Sequence, residues 1–95
     1  MPGKIEGTVT AYTEAGSLVT DIAHAALRDV PRDDSVTVSC DEHETIGIYE
    51  PDHGQPDFTL LAILGPSGFL ELHIVGDSAK MMLGVRLGEQ VKVQW

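Results

Sequence analysis

Carboxylate and imidazole side chains are concentrated in one stretch of the chain, residues 41–57. This stretch has no basic residue and contains Asp41, Glu42, His43, Glu44, Glu50, Asp52, His53 and Asp57. Such groups are common ligands of divalent cations, and His43 and His53 are expected on opposite arms of a hairpin. The spacing fits neither a calcium-binding loop nor a Cys/His zinc motif. We therefore predict a solvated, mobile loop and no metal site, with a cation site in 41–57 as the alternative hypothesis.

A second constellation is formed by Glu71 and His73, which lie two residues apart in a predicted strand. Strand geometry places both side chains on one face, about 6.6 Å apart along the strand. A carboxylate beside an imidazole can act as an acid–base pair. Because neither a nucleophile nor oxyanion donors can be identified around the pair, we predict a weak surface interaction and assign no catalytic residue.

Cys40 is the only cysteine, so the chain cannot form an internal disulfide. It shares the apolar phase of its strand with Val36 and Val38, which predicts a buried, unreactive thiol. Residues 1–20 alternate polar and apolar and lack the apolar core of an export signal. These observations predict a cytoplasmic protein.

Length and charge exclude several classes of protein. The chain has 95 residues, 42% of them hydrophobic, which predicts a single folded domain over residues 1–95. No apolar run approaches the roughly 18 residues of a spanning helix. Fifteen acidic residues against six basic ones leave a net charge of −9. Phosphate backbones and anionic lipids repel such a chain, so we expect neither nucleic acid nor membrane as a partner.

Period-two alternation predicts six short strands, which are centred on residues 5–12, 36–40, 46–48, 58–64, 69–75 and 91–95. Helical spacing predicts a short helix over 22–30, with Thr20 or Asp21 as its N-cap and Pro31 at its end. A second helix is predicted over 79–83, with Asp77 or Ser78 as its N-cap and Gly84 as its stop. The predicted fold is mainly β, a small antiparallel β-barrel of six to seven strands with two short helices.

The predicted strand over 58–64, Phe-Thr-Leu-Leu-Ala-Ile-Leu, is apolar on both faces apart from Thr59. A strand of this kind is covered on both sides. The cover can be a helix, the curvature of the barrel itself or another subunit.

Several motifs occur in a distinctive order along the chain. They are Gly7-Thr-Val-Thr-Ala-Tyr, Gly16-Ser-Leu-Val-Thr-Asp-Ile, Gly65-Pro-Ser-Gly-Phe-Leu-Glu-Leu, Gly76-Asp-Ser-Ala-Lys-Met-Met-Leu-Gly and Gly88-Glu-Gln-Val. In order and spacing the chain resembles the C-terminal domain of the S-adenosylmethionine hydroxide adenosyltransferases and the related fluorinases and chlorinases. The resemblance spans nearly the whole chain and implies a seven-stranded, β-barrel-like domain.

The chain departs from this family's pattern at the positions that read the ligand. The family's Phe-Gly-Asn, whose Asn reads adenine, is Ala15-Gly16-Ser17 here, and the second Asn, after Thr20, is Asp21. The loop's Asn-Ser is Gly65-Pro66, followed by Ser67 in the position of an arginine of the fluorinases. Each unpaired buried hydrogen-bonding partner costs about 1–3 kcal/mol, so we predict that family-like S-adenosylmethionine binding is lost.

The family's catalytic carboxylate lies in a larger N-terminal domain, to which no part of this chain corresponds. The resemblance thus predicts a non-catalytic, stand-alone module without a cofactor, which self-associates (as a trimer by resemblance) or binds a protein partner. One alternative is a domain that binds a nucleoside-like molecule through Ser17, Thr20, Asp21 and Ser67. Another is the C-terminal half of a split S-adenosylmethionine-dependent enzyme.

Overall fold

A single eight-stranded sheet makes up most of the fold. The computed structural model describes residues 3–95. Its elements are β1 (Lys4–Tyr12), β2 (Leu18–Ala23), a 3-10 helix (His24–Leu27), β3 (Thr37–Cys40), β4 (His43–Ile46), β5 (Ile48–Tyr49), β6 (Leu60–Leu64), β7 (Phe69–Ile74), α1 (Ala79–Leu83) and β8 (Gln90–Gln94). The prediction of a mainly β, barrel-like fold is confirmed.

The strand order within the sheet is β4-β3-β8-β1-β2-β7-β6-β5. All neighbouring strands run antiparallel except β5 and β6, which are parallel. The hydroxyl of Thr45 in β4 donates a 2.8 Å hydrogen bond to the carbonyl of Leu60 in β6. This contact joins the first strand of the order to the last strand but one, so the sheet is nearly closed, as in a small barrel.

The interior of the barrel is filled by the apolar phase of each strand. Val38 of β3 and Val91 and Val93 of β8 are fully buried there, and Leu70 and Leu72 of β7 join them. The strand registers, such as Val38 opposite Val93, place these side chains in shared layers. This packing depends on the strict alternation of apolar and polar residues along each strand. A register shift of one residue would turn the apolar side chains outward.

The prediction of a helix over 22–30 is wrong. Residues Leu18–Ala23 form β2, and only His24–Leu27 turn as a 3-10 helix. Ala23 pairs with Phe69 of β7, so the first two residues of the predicted helix belong to a strand that lies between β1 and β7 and uses the ladder for its backbone hydrogen bonds. Long-range pairing therefore overrides a local helical spacing. The sheet also has eight strands rather than six or seven.

The second predicted helix is confirmed. α1 begins after Ser78, whose Oγ accepts a hydrogen bond from the backbone N–H of Met81 (3.2 Å). It ends at Gly84, which adopts a left-handed conformation with φ = 66°. Among the described residues, no helix is long and apolar enough to cross a membrane.

Both faces of β6 are buried within one chain, which resolves the alternatives left open for this strand. Ala62 and Leu64 face the interior, and Leu61 and Ile63 on the opposite face are also buried. The strand begins at Leu60, later than predicted. Because β5 and β6 are parallel, residues 50–59 must cross from one end of the sheet to the other. No second subunit is needed to cover β6.

Candidate functional site

A buried carboxylate is the most unusual polar group of the described structure. Glu71 is 1% exposed, although its neighbours Leu70 and Leu72 occupy the barrel interior. Alternation therefore turns the Glu71 side chain to the outer face of β7, where Val19 and Ile63 are its strand partners. The predicted weak surface interaction is wrong, because this carboxylate is removed from solvent.

Three hydrogen bonds hold the Glu71 carboxylate in place. Ser67 donates to Oε2 through its hydroxyl (2.6 Å) and its backbone N–H (3.4 Å), and Nε2 of His73 donates to Oε1 (2.8 Å). Gly65 lies over the carboxylate, so that any side chain at this position would collide with it. The absence of a side chain at Gly65 is therefore what allows the carboxylate to be buried there.

The Glu71 carboxylate is ionised despite its burial. Burial raises the pKa of the group, but the hydrogen bonds from Ser67 and His73 outweigh this effect and hold the pKa below its ordinary value. An ionised carboxylate can only accept hydrogen bonds. Consequently Nε2 of His73 carries a proton, and Nδ1 is the ring nitrogen that this hydrogen bond does not engage.

His73 opens onto a groove of about 500 Å³. The groove is lined by Ala15, Ser17, His53 and residues 73–78. Its volume is within the range of small-molecule pockets. Two imidazoles, two serine hydroxyls and one carboxylate, that of Asp77, are the polar groups at its walls.

His53 reaches this groove from the connection between β5 and β6. Its Nδ1 accepts a 2.9 Å hydrogen bond from the backbone N–H of Gln55, and its ring lies edge-on to Tyr49 at 6.4 Å between centroids. A nitrogen that accepts a hydrogen bond carries no proton, so the proton of the neutral ring lies on Nε2. Local backbone geometry therefore determines the tautomer of His53.

Of the four ligand-binding candidates, only Ser17 lines the groove. Thr20 is fully buried and donates to the carbonyl of Leu70 (2.7 Å). Asp21 accepts from the backbone N–H of Thr8 (2.9 Å), and Ser67 is bonded to Glu71. The structure thus does not bring the four together in one groove.

Residues 41–57 do not form one loop. Strands β4 and β5 lie within this stretch, and Nε2 of His43 donates to the carbonyl of Leu83 at the end of α1 (3.2 Å). His53 instead lines the groove to which His73 also contributes. Across residues 3–95, no group of three or more His, Cys, Asp or Glu side chains is arranged to hold a metal ion.

Comparison with protein families gives a match over most of the chain. Residues 14–92 match the model of the SAM hydroxide adenosyltransferase C-terminal domain. The chain belongs to this family. The motif-based resemblance is therefore confirmed, and the family assignment agrees with the barrel described above.

Two solved structures are similar to this domain. An uncharacterized conserved protein from Thermotoga maritima is 25% identical, with a TM-score of 0.78 over 95% of this chain and 35% of that protein. A conserved hypothetical protein from Thermus thermophilus is 24% identical, with a TM-score of 0.72 over 93% and 34%. The chain thus spans about one third of the length of these proteins. A comparison with curated proteins found no match.

Sequence reasoning missed two features of this site. The first is that His53 and His73 line one groove. This depends on the crossover of residues 50–59, for which the local sequence pattern carries no signal. Burial of Glu71 did leave a signal, because Gly65, Ser67 and Glu71 are spaced so that a loop can fold back onto the following strand. An acidic residue between two core leucines, close to a glycine-rich turn, is the pattern to look for.

Proposed function

We propose that this adenosyltransferase-type domain is a non-catalytic assembly module that binds a second copy of itself. The observation that carries the proposal is an exposed apolar surface on and after α1. We define the α1 surface as Lys80, Met81, Met82, Arg86 and Leu87. Met81 is 79% exposed, Met82 55% and Leu87 57%. Clustered apolar exposure of this kind is typical of protein–protein contact sites, and methionine adapts well to partner surfaces.

The α1 surface is held rigidly, which favours recognition. Lys80 donates its backbone N–H to the carbonyl of Gly16 (2.7 Å), and its ammonium lies 4.6 Å from the centre of the Tyr12 ring. His43 and Ser78 bond the two ends of the helix. A contact surface that is already ordered loses little conformational entropy on binding.

Charge complementarity points to a second copy as the partner. Lys80 and Arg86 are two of only six Lys and Arg residues, and they adjoin the exposed Met81 and Leu87 in the sequence. The rest of the chain is strongly acidic, so another copy supplies carboxylates for these two bases. By the resemblance described above, members of this family form trimers. This supports the same proposal.

The hydrogen bonding of Ser67 supports the non-catalytic part of the proposal. Its hydroxyl donates to the Glu71 carboxylate, whereas activation of a serine nucleophile requires a well-placed general base such as an imidazole. Ser67 therefore acts as a ligand of the carboxylate. Glu71 positions His73 and does not activate this hydroxyl.

Solution mass tests the assembly proposal. Sedimentation equilibrium between 1 and 200 µM should give an oligomer for the unmodified chain and a monomer for the double variant Met81→Glu/Met82→Glu. Phe58→Ser is the matched control, because Phe58 is 69% exposed but lies outside the α1 surface. A chain that is monomeric throughout this concentration range would contradict the proposal, as would dissociation by the control variant alone.

A second candidate function is the binding of a nucleoside-like molecule in the groove. It is favoured by Ser17, which occupies the adenine-reading position of the family pattern and lines the groove with both histidines. Adenosine and S-adenosylmethionine should then stabilise the protein in a thermal-shift assay, by about 2.7 kcal/mol at 100 times the dissociation constant. Absence of a shift with either compound would remove this candidate.

A further inference from the structure

The two histidines of the groove are each committed to one hydrogen bond within the chain. Nε2 of His73 donates to the ionised Glu71, and Nδ1 of His53 accepts from the N–H of Gln55. In the described residues these bonds engage one nitrogen of each ring, so Nδ1 of His73 and Nε2 of His53 are the ring nitrogens left for a ligand. Both residues line the same groove.

The two rings consequently offer opposite hydrogen-bonding roles when neutral. Because the proton of His73 is held on Nε2, its Nδ1 is a lone-pair acceptor. Because Nδ1 of His53 must accept from a backbone N–H, its Nε2 carries the proton and is a donor. The two residues that line the groove therefore differ in the nitrogen left free, an acceptor in His73 and a donor in His53, and each role is set by a neighbour inside the protein.

Other groups of the groove restrict the charge of the ligand. The carboxylate of Asp77 is exposed at the wall of the groove, and its Oδ1 accepts from the N–H of Ser78 (2.7 Å). The whole chain carries a net charge of −9. An anionic ligand is therefore disfavoured.

We propose that His53 and His73 form a recognition pair for a small neutral molecule that carries an N–H donor beside a C=O acceptor, as in a cyclic amide. The N–H of the ligand meets Nδ1 of His73, and its carbonyl meets Nε2–H of His53. Glu71 is a positioning residue, because it holds the proton of His73 on the far nitrogen. The inference rests on the second candidate function, namely that the groove binds a small molecule, and assigns residues and ligand chemistry to it.

The tautomers can be measured on the unmodified chain without any ligand. Long-range ¹H–¹⁵N NMR at pH 8, well above the ordinary pKa of histidine, distinguishes the protonated nitrogen of each ring. The proton should lie on Nε2 in both His73 and His53. Glu71→Gln should change the tautomer distribution of His73 and leave that of His53 unchanged. A proton on Nδ1 of either ring in the unmodified chain would overturn the proposal.

Binding is tested with 2-pyridone, which has adjacent N–H and C=O groups, against N-methyl-2-pyridone, which keeps the carbonyl and lacks the donor. The first compound should shift the imidazole resonances of both groove histidines, with a dissociation constant in the millimolar range typical of fragments. The second should bind at least tenfold more weakly. His73→Phe should reduce 2-pyridone binding at least tenfold, whereas His43→Gln, outside the groove, should not change it.

Absence of 2-pyridone binding up to 20 mM would overturn the proposal, as would equal binding of the two compounds. These pyridone results can be distinguished from a failure of the second candidate function, the binding of a nucleoside-like molecule. Failure of adenosine and S-adenosylmethionine to stabilise the protein removes the nucleoside but does not alter the tautomers or the pyridone comparison. Conversely, if adenosine binds but NMR shows the opposite tautomers, the groove is a ligand site and the two histidines are not its recognition pair.

Discussion

Glu71 shows how a single buried charge is made tolerable. The residue is 1% exposed and lies opposite Ile63 on the neighbouring strand, but its carboxylate receives donors from Ser67 and His73. A buried carboxylate without such donors would be protonated or would destabilise the fold. The carboxylate in turn fixes one ring nitrogen of His73, so the burial has a consequence for the chemistry of the groove.

The variant Glu71→Gln is expected to lower the free energy of unfolding by about 1–3 kcal/mol at pH 7, because it replaces charge-assisted hydrogen bonds. Since the pKa of Glu71 is lowered on folding, its stabilisation is present above the unfolded pKa and is lost as pH falls from about 4.5 through the folded value. Urea unfolding at pH 7 and pH 3 measures both effects.

In the Glu71→Gln variant, the loss of stability between pH 7 and pH 3 should be smaller than in the unmodified chain. Glu14→Gln is the control, because Glu14 is exposed. An equal cost for the two variants at pH 7 would show that the Glu71 carboxylate contributes nothing specific.

Cys40 is expected to be unreactive in the folded protein. The thiol is 2% exposed, and burial raises its pKa to about 11, with Glu89 and Asp41 adding to the effect. The thiolate is the reactive form, so a thiol reagent such as DTNB at pH 8 should react only through transient unfolding. Reaction in 6 M guanidinium chloride should be complete within seconds. Rapid reaction under native conditions would contradict the buried position.

At the scale of elements, α1 depends on its two ends. A helix of five residues has little stability of its own, so the hydrogen bonds at its termini determine whether it forms. Ser78 satisfies an N–H of the first turn and Gly84 provides the left-handed residue that ends the helix. The α1 surface therefore exists only as long as both caps are intact.

Ser78→Ala is expected to cost about 0.5–2 kcal/mol of stability and Gly84→Ala about 1 kcal/mol. No atom lies within 4 Å of a Cβ added at Gly84 or at Gly54, and both have positive φ (66° and 68°). Gly54→Ala is thus a matched control for the cost of placing alanine at a positive φ. Urea unfolding measures all three variants.

Only the two variants of α1 should also weaken self-association, because they loosen the helix that carries the contact surface. Gly54→Ala should leave the solution mass unchanged. If Gly54→Ala dissociated the oligomer as well, the effect would be one of global stability, and the assignment of the contact to α1 would be contradicted.

For the whole molecule, the excess of acidic residues is the dominant electrostatic feature. The chain measures 35 × 29 × 24 Å and carries a net charge of −9. The Debye length is about 30 Å at 0.01 M salt and about 3 Å at 1 M. At low salt each carboxylate therefore interacts with charges across the entire molecule, and at high salt only with its neighbours.

The free energy of unfolding at pH 7 is consequently expected to rise between 0.01 M and 0.5 M NaCl, because screening removes self-repulsion of the compact state. The increase should largely disappear near pH 4.5, the isoelectric point calculated from the sequence. Thermal unfolding at both pH values provides the comparison. A stability that is independent of salt at pH 7 would show that the acids are already balanced by local pairing.

Local patterns alone determined a large part of this protein. Alternating residues predicted β1, β3, β7 and β8, the Ser78 and Gly84 signals placed α1, and the motif order predicted the family. These features can be predicted because each depends on residues close together in the chain, or on a spacing preserved along it. The burial of Cys40 follows from the same alternation.

Only the tertiary structure decided the features that depend on barrel closure. It paired Leu18–Ala23 as a strand between β1 and β7, which takes in the first two residues of the helix predicted over 22–30, and it buried Glu71 beneath the loop of Gly65 and Ser67. It also placed His53 in the wall of the same groove as His73 through the parallel crossover of residues 50–59. For β2 and for His53 the deciding contact joins residues that no local period relates, because the energy is gained only when distant strands pair.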